Sequence, residues 1–135
     1  MTQGLTEDEL DFLHGTFDLA REGATAALAE RLDAGVPVNL TNSAGDTLLI
    51  LAAYHGHAET VRAVLERGAD HARVNDKGQT ALSAAVFRRA GEIVELLLDA
   101  GADPGLGRQS GVAVAQFFDL PEMAALLAER TGHRP

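Results

Sequence analysis

A period of 33 residues runs through the middle of this chain. Gly45, Gly78 and Gly111 fall on it, as do Gly35, Gly68 and Gly101. Thr47 aligns with Thr80, Leu49 with Leu82, Glu59 with Glu92, Val61 with Val94 and Leu65 with Leu98. The pair Ala69-Asp70 aligns with Ala102-Asp103. A fixed interval of this length marks one supersecondary unit stacked on copies of itself. Such a unit cannot bury its own apolar face, so its neighbours must cover it.

The 135 residues allow one domain or one short array. Hydrophobic residues make up 46% but aromatics only 4%, so the core must be aliphatic. Ala, Leu and Val suit thin helices packed closely in layers. The net charge of −9 opposes a nucleic-acid partner and an anionic membrane surface, and leaves room for a basic protein partner. No cysteine is present, which removes disulfides, thiolate metal sites and a Cys nucleophile. MTQGLTEDEL lacks the cationic and apolar regions of a signal peptide, and no run of 18 apolar residues occurs. The expected location is the cytoplasm. Ten of the 11 basic residues are Arg and Ala is abundant, which suggests a GC-rich bacterial genome.

Along the chain, Thr6-Glu7-Asp8-Glu9 predicts a capping box. Leu10, Leu13, Phe17 and Ala20 follow as an apolar stripe at helical spacing. Gly15 interrupts the stripe, leaving open one bent helix or two short ones. Residues 26–32 predict a second helix with Leu28 and Leu32 on one face, closed at Gly35. Residues 36–46, rich in turn residues and holding Pro37, predict an extended arm.

The next unit predicts a short helix from Thr47 with Leu48, Leu49, Leu51 and Ala52, a turn at Gly56-His57, and a partner helix over 58–66. Val61, Val64 and Leu65 are expected inward, with Gly68 closing the helix. The third unit repeats this: a helix over 80–88, a turn near Ala90-Gly91, a helix over 92–100, then Gly101. From Gly111 on, the alignment needs a deletion of about three residues, which sets Glu122 on Glu92. Residues 112–118 and a second helix starting at Pro121 form the last unit, with Met123, Leu126 and Leu127 buried. Four units follow: an N-terminal capping unit 1–41, repeats 42–74 and 75–107, and a C-terminal capping unit 108–135.

No arrangement for catalysis emerges. His14, His55, His57, His71 and His133 form no ligand set, since His55 and His57 are two apart and no carboxylate cluster joins them. His55 is expected on the surface. Glu59 and Glu92 follow the period as N-terminal charges on the second helices, favourable to the helix dipole. Asp70 and Asp103 follow it as turn residues. Ser43, Ser83 and Ser110 have no His-acid partners, and no nucleophile elbow, phosphate-binding loop or dinucleotide fingerprint occurs. No catalytic, cofactor or metal site is expected, and the chain is read as no enzyme.

The pattern G-x-T-x-L-x-x-A-A-x-x-G-H-x-E-x-V-x-x-x-L-x-x-G-A-D resembles the ankyrin repeat. Gly45, Thr47, Leu49, Ala52, Ala53, Gly56, His57, Glu59, Val61, Leu65, Gly68, Ala69 and Asp70 match it. Gly78, Thr80, Leu82, Ala84, Ala85, Glu92, Val94, Leu98, Gly101, Ala102 and Asp103 match it again, and the resemblance covers roughly residues 17–130. The family's Thr-Pro-Leu-His start reads Thr47-Leu48-Leu49-Ile50 and Thr80-Ala81-Leu82-Ser83, so its Pro and bridging His are missing.

The resemblance implies an all-α fold, an ankyrin-repeat solenoid of stacked helix-turn-helix units joined by β-hairpin-like loops. It makes His57 a structural turn residue. It implies protein–protein binding through the concave face, built from hairpin tips and first helices. The variable positions there map onto Ser43, Ala44, Asp46, Ile50, Tyr54 and His55, then onto Asp76, Lys77, Gln79, Ser83, Phe87 and Arg88. Of these, Asp46, Ile50, Tyr54, His55, Lys77, Gln79, Ser83, Phe87 and Arg88, together with Phe117 in the last unit, are the expected partner-binding residues. Tyr54 and Phe87 stand one period apart, so they lie side by side, either as interface anchors or packed on the neighbouring helix. The partner itself is unknown, and the free chain is expected to be a monomer. Two other readings stay open: an accessory protein for a bacterial catalase or other haem enzyme, by likeness to small bacterial ankyrin proteins encoded beside catalases, and a purely structural or self-associating module.

Overall fold

The computed structural model describes residues 5–131. Its helices are α1 (Glu7–Glu22), α2 (Thr25–Asp33), α3 (Leu48–Tyr54), α4 (Ala58–Glu66), α5 (Ala81–Phe87), α6 (Gly91–Asp99), α7 (Gly111–Phe117) and α8 (Pro121–Thr131). Among the described residues there is no strand, only isolated bridges Thr41↔Thr47 and Gln79↔Gln109 in the arms. The odd-numbered helices pack in one row, α1 on α3 on α5 on α7, and the even-numbered helices stack in a second row. Each pair, α1 with α2 through α7 with α8, folds back on itself.

The first helices α3, α5 and α7 have only seven residues each, too few to stand alone in water. Two things hold them. Thr47, Thr80 and Ser110 cap their N-termini, the side-chain oxygen accepting from the amide of Ile50, Ser83 or Ala113 at 3.0–3.1 Å. Packing supplies the rest: Leu48, Leu49, Ala52, Ala53, Ala81, Leu82, Ala84 and Ala85 are all buried, and the alanines let the row close up. The second helices offer Leu28, then Val61 and Val64, then Val94 and Leu97, then Met123 and Leu127 to the same aliphatic core. Leu65 and Leu98, expected inward, are only half-buried; Val64 and Leu97 take the deepest positions.

The capping box forms: Glu9 N donates to Thr6 Oγ1 at 3.1 Å and Thr6 N to Glu9 Oε1 at 2.8 Å. α1 then runs unbroken through Gly15. A Cβ on Gly15 would stand 3.3 Å from the Arg31 guanidinium. That group lies flat on the helix, donating to Phe12 O at 2.8 Å and Thr16 Oγ1 at 2.9 Å and sitting 4.1 Å from the Phe12 ring centre. The apolar stripe is core only in its second half. Phe17 and Ala20 are buried while Leu10 is exposed, because α1 is longer than the nine-residue α2 behind it.

The last unit corrects the register. α7 and α8 begin 30 residues after α5 and α6, so the shortening falls in the arm before α7 and not after Gly111. Gly45 and Gly78 are left-handed arm-tip residues, whereas Gly111 is the first residue of α7, against Leu82, Val86 and Leu127. In the helix-to-helix turns the left-handed residues are Gly23, Gly56, Arg89 and Asp119, one per unit. Only the first two are glycines, so the sequence marks these turns half the time.

Candidate functional site

The arms are built around asparagine. Asn42 Oδ1 accepts from the amides of Ala44 and Asp46 at 3.0 and 2.9 Å. One period on, Asn75 Oδ1 accepts from Lys77 and Gln79 at 3.0 and 2.9 Å. These side-chain bonds hold tight turns that a short arm could not keep alone. Asn75 also ties neighbouring arms together, its Nδ2 donating to Asp46 Oδ1 at 2.8 Å and to Gln79 Oε1 at 2.9 Å. Asp76 N donates to Ala44 O, and Gln109 N to Gly78 O, so the arms also join through backbone. Asp70 and Asp103 act as turn residues, accepting from the amides of Ala72 and Gly105.

At the far ends of the first helices a row of rings emerges. Tyr54 and Phe87 stack, 39% and 42% exposed. Phe87 meets Phe118 edge-on at 5.3 Å, and Phe118 meets Phe117 edge-on at 4.9 Å. Phe117 is 81% exposed and does not touch Phe87. The residue that continues the row is Phe118, which periodicity alone passes over, because it lies one position beyond the helix residue equivalent to Phe87. His55 stands at an edge of Tyr54, 5.2 Å between ring centres. Its partial desolvation, and then the positive charge of His57, Arg88 and Arg21, hold its pKa below the ordinary 6.5.

The other expected positions divide by burial. A groove of about 510 Å³ runs between the second arm and α3, with Asp46, Lys77 and Gln79 on one wall and Tyr54 and His55 on the other. Ile50, 3% exposed, is its floor and part of the core. The expectation for Ser83 is corrected: it is 1% exposed, and its hydroxyl donates to Thr80 O and accepts from Thr80 N, leaving nothing for a partner. Its position as the third residue of a capped helix is the signal that gives this role away. Arg88 is exposed beside the row, its guanidinium near Gly56. A second depression of about 590 Å³ joins Arg108 and Gln109 of the third arm to Phe117 and Phe118.

His57 is built into the fold. Its Nε2 donates to Arg21 O at 2.7 Å, tying the second unit to the first. His133 lies outside the described residues. Among the described residues no three His, Asp or Glu side chains gather as metal ligands, and no helix is long and apolar enough to cross a membrane.

The family model for ankyrin repeats, in three copies, matches residues 17–107. An ankyrin repeat protein of Pseudomonas aeruginosa is 56% identical over 52 residues, 38% of this chain and 30% of that protein. The human ankyrin repeat domain-containing protein 29 is 41% identical over 63 residues, 46% of this chain and 21% of that protein. An Arabidopsis thaliana acyl-CoA-binding domain-containing protein is 34% identical over 64 residues, 47% of this chain and 17% of that protein. The matches thus span less than a third of the length of each relative. Ankyrin repeats are in general protein–protein interaction modules, and the family is typically non-enzymatic.

Proposed function

The chain belongs to the ankyrin-repeat family, and we propose that it binds a partner protein through the concave face of its stack. The observation that carries this reading is the row of Tyr54, Phe87, Phe118 and Phe117. The chain has only six aromatic residues, and four of them gather there with a large part of their surface in water. Packing explains exposed rings poorly, whereas aromatic anchors dominate binding energy at protein interfaces. The groove between the arms and α3 would receive the partner beside this row, with Asp46, Lys77, Gln79 and His55 at its rim. The arms are cross-linked by backbone and by Asn75, so this face is already rigid before binding, which limits the entropy lost on association. The chain acts without chemistry of its own, as a cytoplasmic monomer until its partner arrives.

The test is a pull-down with the wild type and a Tyr54→Ala/Phe87→Ala variant, with folding of both checked by circular dichroism. A protein retained by the wild type and lost by the folded variant supports the concave-face reading. Equal retention moves the interface elsewhere. Sedimentation of the free chain covers the self-associating reading, which requires a dimer that the double variant dissolves.

A further inference from the structure

The positive charges of this acidic chain are unevenly used. Among the described residues, Arg21, Arg62, Arg67, Arg73 and Arg130 each pair with a carboxylate. Arg31 is spent on Phe12 and Thr16. The other four described cations, Lys77, Arg88, Arg89 and Arg108, have no carboxylate within 4.0 Å. Lys77, Arg88 and Arg108 border the aromatic row, the Arg108 guanidinium also donating to Asp76 O at 3.2 Å, and Arg89 lies in the turn two residues after Phe87. Lys77 lines the groove that holds Tyr54, and Arg108 lines the depression that holds Phe117 and Phe118. Arg88 and Arg89 directly follow Phe87. Arg88 and Arg89 are exposed, as are Lys77 and Arg108.

Asp46 and Asp76 line the same groove as Lys77, and Asp119 directly follows Phe118. Asp46 is engaged by Asn75, and Asp76 and Asp119 are exposed. The four cations outnumber them, while the chain as a whole carries −9. Which charge a partner feels depends on distance. At physiological salt, charges farther apart than about 8 Å are largely screened, so the local cations govern contact and the distant carboxylates do not. Total charge suggests a basic partner; the charge beside the rings suggests the reverse.

Resting on the concave-face reading, we propose that the partner presents an acidic segment with aromatic or aliphatic anchors. Its apolar side chains lie on Tyr54, Phe87 and Phe118, and its carboxylates meet Lys77, Arg88, Arg89 and Arg108. A few carboxylates on a peptide suit four cations. A nucleic acid, with its continuous line of phosphates, would meet the −9 of the whole chain as well.

The experiment selects random linear peptides on the immobilised full chain, and counter-selects on Tyr54→Ala/Phe87→Ala. Enriched peptides are then titrated by fluorescence anisotropy at low and high salt. They are titrated also against Lys77→Gln/Arg88→Gln/Arg89→Asn/Arg108→Gln, where Asn accepts the left-handed backbone of position 89. The expected pool has Asp and Glu exceeding Lys and Arg, interleaved with Phe, Tyr, Leu or Met. Its binding weakens about tenfold or more in the charge variant and in high salt. The salt titration of the wild type decides the matter if the fourfold variant does not fold. A neutral or basic pool that still needs Tyr54 and Phe87 overturns this inference and leaves the concave face standing. A pool indifferent to Tyr54 and Phe87, or no pool at all, overturns both. A single-stranded oligonucleotide that displaces the acidic peptides at lower concentration also overturns the inference.

Discussion

The rings of Tyr54 and Phe87 lie parallel, 6.0 Å between centres and 3° between planes. The two residues end α3 and α5, so their stacking is the repeat period made visible on the surface. Each ring covers one side of the other and leaves the rest to water. A stacked aromatic pair is worth about 0.5–1.5 kcal/mol beyond its buried area, and the exposure here favours the lower end. A double-mutant cycle with Tyr54→Ala and Phe87→Ala should therefore give a coupling of about 0.5–1 kcal/mol in urea unfolding. Additive single effects would mean that the rings do not stack in solution.

Leu97 is fully buried between the helix rows, while Leu65 and Leu98 keep part of their surface in water. Leu97→Ala should cost about 2–5 kcal/mol, as cavity-forming core truncations do. Leu65→Ala and Leu98→Ala should cost less, about 1–2 kcal/mol, because less apolar surface is withdrawn. Urea melts of the three variants check the ranking, and equal losses would contradict it.

His57 fills the space over Gly23. A Cβ on Gly23 would fall 2.5 Å from the His57 ring, and Gly23 also has a left-handed backbone, φ 74°. Gly23→Ala thus meets two penalties, a steric one and a conformational one. We expect a loss of about 1–3 kcal/mol. In a His57→Ala background the steric part disappears and only the backbone part stays, so the same substitution should cost measurably less. His57→Ala itself leaves Arg21 O without its donor and should cost about 1–3 kcal/mol. Strict additivity in thermal or urea unfolding would rule out the contact.

Asp33 at the end of α2 receives Arg67, the residue after α4, at 2.9 and 3.2 Å. The same clamp recurs at the last interface, where Arg130 meets Glu95 and Asp99. At the central interface the corresponding positions are Glu66 and Ala100, which cannot pair. The hydrogen bonds from Arg67 hold the Asp33 carboxyl below the ordinary 3.8, against some opposing desolvation. Its folded value thus lies under its unfolded one. The stabilisation is present at pH above the unfolded value and is lost as pH falls through the folded value. Asp33→Asn should lower the urea midpoint slightly at neutral pH and leave it equal to wild type in strong acid. Asp33 is exposed and Arg67 half-buried at the surface, so added salt should shrink the difference at neutral pH. A difference that persists in acid would assign the effect to packing.

Much of this protein is legible from the chain alone, for a physical reason. A repeat writes each helix start, cap and arm more than once, and Thr47 and Thr80 or Asn42 and Asn75 do the same job at the same offset. Local chemistry fixes those elements, so the period, the all-α architecture, the capping box at Thr6 and the turn roles of Asp70 and Asp103 follow from residue order. What lies between units was decided only in three dimensions. Gly15 sits inside a continuous helix, with Arg31 arriving from α2 to lie beside it. Phe118 rather than Phe117 reaches Phe87, and Leu65 packs at the edge of the core, half-buried, where Val64 is fully covered. Neighbouring helix positions point about 100° apart, so a one-residue difference that periodicity barely registers moves a side chain from partner to solvent. The pairing of the cations is decided the same way. Composition supplies a total of −9, but only the stack determines that Arg67 and Arg130 are neutralised while Lys77, Arg88, Arg89 and Arg108 have no carboxylate partner, Lys77 and Arg108 lining the hollows beside the rings. Charge total is a property of the sequence, whereas charge neighbourhood depends on distances that exist only after folding.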